Sequence, residues 1–329
     1  MRHIITAFFL IFAFFSGTKA IAAPEFSFPV DCKLEENCWF VNYIDMDPEQ
    51  GQVTDPLCQS RSYDNHKGTD IGIRSRGEMR QGVKVRAAND GQIKRIRDGQ
   101  SDDIKTQEEL QAIFDNNKGC GNGVLIDHGG TVQTFYCHLK EGSLKVSEGD
   151  KVKEGDIIGE IGQSGFAEFP HLHFEIRWEN AVMDPFTGSD NQKGCGIFRQ
   201  SLWKDNTIKY TPISIYDGEF RNNPPDFKAI EYGENNPEIL SLDSDALVFW
   251  VAFYGAQKND QITMDIKDPN GILFSSRNIT QPKDRARQYY YTGRKLAGKN
   301  LPKGLYSGSI KISRKGETIT EKNFTVHME

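Results

Sequence analysis

The chain has 329 residues, with 46 Asp+Glu against 40 Lys+Arg and a formal net charge of −6. That acidic balance argues against binding along a nucleic-acid backbone, which depends on Lys and Arg neutralising phosphates. The length suggests two domains at about 150 residues each, and no stretch beyond the N-terminus approaches the run of about 20 apolar residues that spans a bilayer.

Residues 1–22 read as a secretory signal peptide: a basic start at Met1-Arg2-His3, an apolar run from Ile4 to Phe15, and a small-x-small cleavage site at Ala20-Ile21-Ala22. Cleavage there removes Arg2 and Lys19 and no acid, leaving 38 Lys+Arg against 46 Asp+Glu, a net charge of −8. The reading is an exported protein of the periplasm, with secretion from the cell as the alternative. Cysteines stand at 32, 38, 58, 120, 137 and 195, all beyond the cleavage site and without a Cys-x-x-Cys pair. An even count in an exported chain points to disulfides rather than to a cysteine metal site. No residue pattern calls for an oligomer, so a monomer is the default.

Segment 23–60 is aromatic, cysteine-bearing and irregular, and is expected to pack on the domain that follows. Residues 61–200 read as that domain, with short β-branched runs at Val83–Ala87, Gly91–Ile96, Gly123–Asp127, Val132–Tyr136, Ile157–Ile161 and His171–Ile176 punctuated by Gly and Asp. An insertion at about 98–119 carries one predicted helix within Ser101–Phe114. The run from Val124 to Tyr136 reads as a hairpin turning at Gly129-Gly130, which places residue 137 opposite 122 and makes Cys120–Cys137 the first expected disulfide. Cys32–Cys38 closes a small local loop, and Cys58–Cys195 is left by elimination.

Two Glu-Gly-Asp turns, at 148–150 and 154–156, are typical of small, tightly wound β structure and also occur in biotinyl and lipoyl carrier domains. Those need an exposed modifiable lysine at a hairpin tip with its usual flanks, which this chain lacks. Residues 201–225 read as a linker ending in Arg221-Asn222-Asn223-Pro224-Pro225. Residues 226–329 read as an immunoglobulin-like β-sandwich of about seven strands, among them Leu247–Tyr254, Ile262–Ile266, Ile272–Ser276, Gly308–Ser313 and Thr318–Thr325. It holds one histidine, His327, so a binding or spacer role is expected.

Six histidines lie beyond residue 22, and three of them fall in two compact motifs. His66-Lys67-Gly68-Thr69-Asp70 is one. Pro170-His171-Leu172-His173-Phe174-Glu175 is the other. Strand alternation puts His171, His173 and Glu175 on one face and Leu172, Phe174 and Ile176 on the other. Neutral imidazole and carboxylate are suited to zinc, and three protein ligands plus a water form the usual catalytic arrangement. Together the motifs point to a metal site. There is no His-Glu-x-x-His motif, so the glutamate base that accompanies it is absent.

From His66 to about Phe186 the sequence resembles the lysostaphin-type metalloendopeptidases, the glycyl-glycine endopeptidase family. The resemblance rests on the His-x-x-x-Asp motif, Gly82-Val83-x-Val85-x-Ala87, the Gly91 strand, Asn122-Gly123-Val124 and Asp127-His128-Gly129. It continues through Tyr136-Cys137-His138-Leu139, Gly149-Asp150-x-Val152-x-x-Gly155, Gly162-x-Ser164-Gly165 and Pro170–Glu175. It implies a mainly β fold, a compact antiparallel domain built like a duplicated hybrid motif, with the site in a groove across the sheet. It further implies one zinc ion per chain held by His66, Asp70 and His173, with His138 and His171 as unliganded catalytic histidines.

The activity implied is hydrolysis of peptide bonds in bacterial cell-wall peptidoglycan. The alternative is a non-catalytic relative that regulates other wall hydrolases; such relatives lose zinc ligands, and none is missing here. The insertion and the extra cysteines depart from the simplest members and suggest a groove wall and an oxidising compartment. Glu175 is expected beside the ligands rather than among them, His128 serves its turn, and Asn65 and Gly165 border the groove.

Overall fold

A computed structural model describes residues 23–233, 239–296 and 301–329; the signal-peptide reading of residues 1–22 lies outside them. The Gly- and Asp-punctuated runs form β1 (Cys38–Phe40), β2 (Thr69–Ile73), α1 (Arg76–Gln81), β3 (Lys84–Arg86), β4 (Gly91–Arg97) and α2 (Gln107–Asp115). They continue as β5 (Asn122–Gly129), β6 (Val132–Leu139), β7 (Lys151–Val152), β8 (Ile157–Glu160), β9 (His171–Trp178) and β10 (Ala181–Met183). Antiparallel pairing gives a sheet in the order β1-β2-β9-β6-β5-β4-β7, with β10 also on β9 and β3 pairing β8 separately. Ile71, Leu172, Phe174, Ile176, Tyr136 and Ile126 form its buried face, as alternation requires.

The predicted helix is α2, whose start is fixed by a capping box: Thr106 accepts from the Glu109 amide while the Glu109 side chain accepts from the Thr106 amide. The N-terminal segment does more than pack on the domain. Its β1 pairs with β2, Trp39 opposite Gly72 and Phe40 opposite Ile71. The β5–β6 turn is one residue later than expected, at Gly130-Thr131, with φ of 56° and 67°. That left-handed pair supplies the twist that a two-residue hairpin needs. The register then runs Val124 opposite Tyr136 and slips to Asn122 opposite Leu139, so residue 137 is not opposite 122. Cys120 and Cys137 are bonded all the same, with Cα atoms 4.8 Å apart, and Cys32–Cys38 and Cys58–Cys195 are the other disulfides.

The second domain contains β11 (Ser214–Arg221), α3 (Phe227–Tyr232), β12 (Ile239–Leu240), β13 (Ala246–Ala256), β14 (Gln261–Lys267), β15 (Leu273–Thr280), β16 (Arg285–Lys295), β17 (Gly304–Arg314) and β18 (Glu317–Met328). Among the described residues these make two sheets, β11-β13-β16 and β12-β18-β17-β14-β15. They sandwich Phe249, Val251, Phe253, Ile262, Met264, Ile310 and Ile312.

The linker reading of 201–225 needs correction. Residues 214–221 are β11, paired with β13 from Ser214 opposite Tyr254 to Arg221 opposite Val248. Asp217, Gly218 and Glu219 hid the strand, because their polarity and the bulge between Ile215 and Asp217 interrupt the alternation. A fragment starting at 226 would lack this strand and expose one edge of β13.

The two domains share a buried aromatic cluster. Trp39 and Val41 beside β2, together with Phe169, pack on Tyr216, Ile230, Trp250, Ala252 and Tyr254 of the sandwich. Buried Arg61 ties the same seam: its Nε donates to the Val41 carbonyl (3.0 Å), and its other nitrogens donate to the carbonyls of Phe40 and Thr211 and to Ser214 Oγ. The sandwich is therefore a packed neighbour rather than a tethered unit. Trp39→Ala is expected to destabilise the protein by about 3–5 kcal/mol, the usual cost of removing a large buried aromatic, measured by urea unfolding. A loss under about 1 kcal/mol, the scale of a surface change, would show the seam to be loose.

Candidate active site

Strand pairing assembles the site. On β2 and β9 Asp70 lies opposite His173 and Gly72 opposite His171; on the other side of β9, Cys137 lies opposite His173. His66 precedes β2 and reaches back over it. The result is a triangle of donor atoms: His66 Nε2 to Asp70 Oδ1 3.0 Å, His173 Nδ1 to Asp70 Oδ1 3.0 Å, and His66 Nε2 to His173 Nδ1 3.1 Å.

Among the described residues, these three side chains form a group able to hold a metal ion. Their chemistry and spacing fit zinc. A triangle of this size lets one ion sit about 2.0–2.1 Å from all three atoms, the usual zinc–nitrogen and zinc–carboxylate distance. Two imidazole nitrogens meeting at one carboxylate oxygen would otherwise compete for the same acceptor.

Outer partners set each ligand's orientation. The Tyr43 carbonyl accepts from His66 Nδ1 at 2.7 Å, which leaves the Nε2 lone pair facing Asp70 and His173. Asn42 Nδ2 donates to Asp70 Oδ2 at 2.9 Å, freeing Oδ1 for the triangle. His173 presents Nδ1 inward while its Nε2 is 3.8 Å from Glu175 Oε2, and Glu175 in turn accepts from Arg177. Glu175 thus stands behind the donor triangle. Gly68 makes room for this ring: a Cβ there would lie 2.6 Å from His173 Nε2.

His138 is placed by its backbone. In β6 Val132, Thr134 and Tyr136 point into the core, and strict alternation would send His138 after them. Its φ of 64° breaks the alternation and turns the ring to 4.6 Å from that of His171 and 6.0 Å from that of His173. A left-handed non-glycine residue is costly and persists where its surroundings hold it. Here the His138 amide donates to the Cys120 carbonyl (2.8 Å), so the Cys120–Cys137 bond braces the same turn. His138 Nδ1 donates to the Ser164 carbonyl at 2.8 Å, and His171 Nδ1 to the Phe169 carbonyl at 2.9 Å. In both rings Nε2 is left as the free base, and that of His171 is 3.7 Å from Asp70 Oδ1.

Electrostatics separate the two groups of histidines. Burial pushes His138 well below the ordinary histidine value, helped by the neighbouring rings of His171 and His173. Burial also lowers His171, against the pull of Asp70. Both stay neutral at pH 7. Burial would raise Asp70, but His66, His171 and His173 outweigh it and hold the carboxyl well below its usual range. His173 is opposed by burial yet raised to about 9 by Asp70 and Glu175. Metal binding to imidazole requires the neutral ring, so an ion bound here would release any proton that Asp70 and Glu175 favour on His173. The His173 side chain is 12% exposed against 1% for His66 and Asp70, so the approach from solvent is on its side.

The other sequence candidates lie apart. His128 uses both nitrogens, on the Asp90 carbonyl and Thr134 Oγ1, and serves the turn region. His327 is exposed beside Glu329. Asn65 adopts φ 65° and its amide donates to Asp45 Oδ2, positioning the segment before His66. Gly165, at φ 73°, lies against Gly119 and Gly121, where a Cβ would meet backbone atoms at 2.3–2.4 Å. Four contributors escaped the sequence reading: Tyr43, Asn42, Tyr63, which stacks on His66 at 4.2 Å, and Phe169, whose ring is 4.7 Å from that of His171. The first two contribute through a backbone carbonyl and a remote pairing, for which no local pattern exists.

Residues 64–185 match the model of peptidase family M23. The chain carries an M23 peptidase domain. Similar curated proteins include the glycyl-glycine endopeptidase ALE-1 of Staphylococcus capitis, 28% identical over 56% of this chain and 49% of that protein. The peptidoglycan DD-endopeptidase ShyA of Vibrio cholerae is 43% identical over 18% of this chain and 14% of that protein. The chain thus spans about half or less of the length of these relatives. Among solved structures, the catalytic domain of lysostaphin from Staphylococcus simulans is 25% identical, covering 42% of this chain and 88% of that one with a TM-score of 0.27. The M23 match begins just before His66 and ends at Pro185, so the N-terminal segment with β1 and the sandwich lie outside it. No helix among the described residues is long and apolar enough to cross a membrane.

Proposed function

We propose that this protein is an exported zinc-dependent endopeptidase that hydrolyses peptide cross-links of bacterial peptidoglycan. The observation that carries the reading is the His66–Asp70–His173 triangle with two neutral, base-competent histidines at its side. Relatives named as glycyl-glycine and peptidoglycan endopeptidases support the substrate class, and three disulfides suit an oxidising compartment outside the cytoplasm. Nothing in the site is missing that a non-catalytic relative would have lost.

In this reading His66, Asp70 and His173 would hold the ion, and Asp70 would offset one of its two charges, leaving the site net positive. Bound zinc supplies a Lewis acid and an acidified water. The chain supplies the proton path. The proton leaving the attacking water passes to an Nε2 of the His138–His171 pair and is delivered to the amine nitrogen of the broken bond. The Ser164 and Phe169 carbonyls fix both rings in the required tautomer throughout. Digestion of purified sacculi, with and without added zinc and with fragments identified by mass, is the test. Zinc-dependent release of peptide fragments is expected; intact sacculi in the presence of folded, zinc-loaded protein would refute the reading.

A further inference from the structure

The loop from Gly162 to Pro170 holds both catalytic histidines: the Gly162 carbonyl accepts from the His171 amide, Ser164 from His138, and Phe169 from the His171 ring. The same loop forms one wall of a cavity of about 480 Å³, through Gln163, Glu168 and Phe169. The opposite walls come from elsewhere in the chain. Lys105 and Leu110 belong to the insertion, and Phe227, Arg285 and Arg287 to the sandwich. Phe169 links cavity and reaction centre: its ring is 4.7 Å from that of His171, and the Arg287 guanidinium is 4.6 Å from its centroid.

The cavity's charges are not equally committed. Arg287 is paired with Glu231 at 2.9 Å, and Asp284 accepts from the Lys258 amide. Lys105 spends its ammonium on the carbonyls of Ser101, Asp103 and Gln163, so no carboxylate is paired with it within ion-pair distance. The side chain of Arg285, at the exposed start of β16, has no ion-pair or hydrogen-bond partner among the described residues. Glu168 is likewise unpaired, on the wall beside Phe169. A free guanidinium facing a pocket beside a peptidase centre, with a second cation across it, suits a carboxylate group presented bidentately.

We propose that this cavity is a substrate subsite in which Arg285 binds a free carboxylate of the peptide whose scissile bond lies at the histidine cluster. The inference rests on the peptidase reading above and deepens it: the insertion and the sandwich jointly build specificity for an acidic peptide stem. Lys105 contributes positive potential, and Phe169 and Phe227 pack against the intervening apolar part of the chain. The sandwich then acts at the site itself, which explains why it is packed against Phe169 instead of tethered.

The test uses the full-length protein and two non-hydrolysable analogues of a soluble cross-linked peptide, one with free carboxylates and one fully amidated, with binding measured by calorimetry. The wild type is expected to bind the free acid about tenfold or more tightly than the amide, the scale of one charge-assisted hydrogen-bond pair. Arg285→Ala should erase that preference while Arg285→Lys keeps part of it. Arg285 is exposed and unpartnered, so neither change threatens folding. No preference in the wild type, no binding of either analogue, or a preference intact in Arg285→Ala would overturn the proposal. The sacculus digest reports separately. Discrimination without any release of fragments would sink the peptidase reading and spare the subsite; release of fragments with Arg285→Ala binding like the wild type would do the reverse.

Discussion

Alanine at His66, Asp70 or His173 is expected to leave the protein with essentially no zinc, where the wild type is expected to hold one ion per chain. Each change would remove one of the three donors proposed to hold the ion, and a catalytic zinc site has three protein ligands with water as the fourth. The loss should be near complete because no spare ligand stands ready: Glu175 lies behind His173, 3.8 Å from its outer nitrogen, and is engaged by Arg177. The fold should survive, since the core under this face is built from Leu172, Phe174 and Tyr136 on the opposite side of the strands. Metal analysis of the purified variants beside their circular dichroism decides it. Full zinc in all three would show the ligand assignment to be wrong. Asn42→Ala should weaken binding without abolishing it, because it removes only the donor that orients Asp70.

The opposite pattern is expected for His138→Ala and His171→Ala: zinc retained, with kcat on a cross-linked peptide lowered by about a hundredfold or more, the usual scale for losing a general acid or base. Both rings are tethered by Nδ1 to backbone carbonyls and neither nitrogen lies in the donor triangle. The closest competitor is His171, whose Nε2 is 3.7 Å from Asp70 Oδ1. Zinc loss in His171→Ala would therefore make it a ligand and would redraw the division of labour within His171-Leu172-His173. Because His138 sits at φ 64°, its alanine variant should also be less stable than the wild type, whereas His138→Gly should lose turnover without that extra strain. Comparing the two variants separates chemistry from backbone.

Much of the site was readable in the residues themselves. A His-x-His in a β-branched run puts both rings on one face by alternation alone, and β9 shows that alternation intact, with Leu172, Phe174 and Ile176 on the core side. The pairing of Cys120 with Cys137 followed from a hairpin whose turn was misplaced by one residue, because a bond between strand neighbours tolerates a slip that a side-chain register does not. The reading failed where polarity masked a strand. β11 and β16 carry Asp, Glu, Arg and Gln on the chain, yet each pairs with the thoroughly buried β13, whose apolar residues fill both faces. Treating 201–225 as a linker missed the seam between the domains for that reason.

What the sequence determined by itself was a metal site and its chemistry: residue type, spacing and strand parity, which are local properties of the chain, bring forward His66, Asp70, His171 and His173, and the resemblance to the lysostaphin-type family selected His66, Asp70 and His173 among them. Only the tertiary structure decided how those donors are held and what lies beside them. His138 reaches the site through a left-handed backbone that its parity in β6 argues against. His66 is oriented by a carbonyl at Tyr43 and Asp70 by an amide at Asn42, both in a segment that sequence alone made irregular. Phe169 is fixed between His171 and Arg287, more than a hundred residues further on. Such partnerships depend on which strands become neighbours, a choice made by burial of the two cores and of the aromatic seam between them, and no pattern within a short window of residues encodes it.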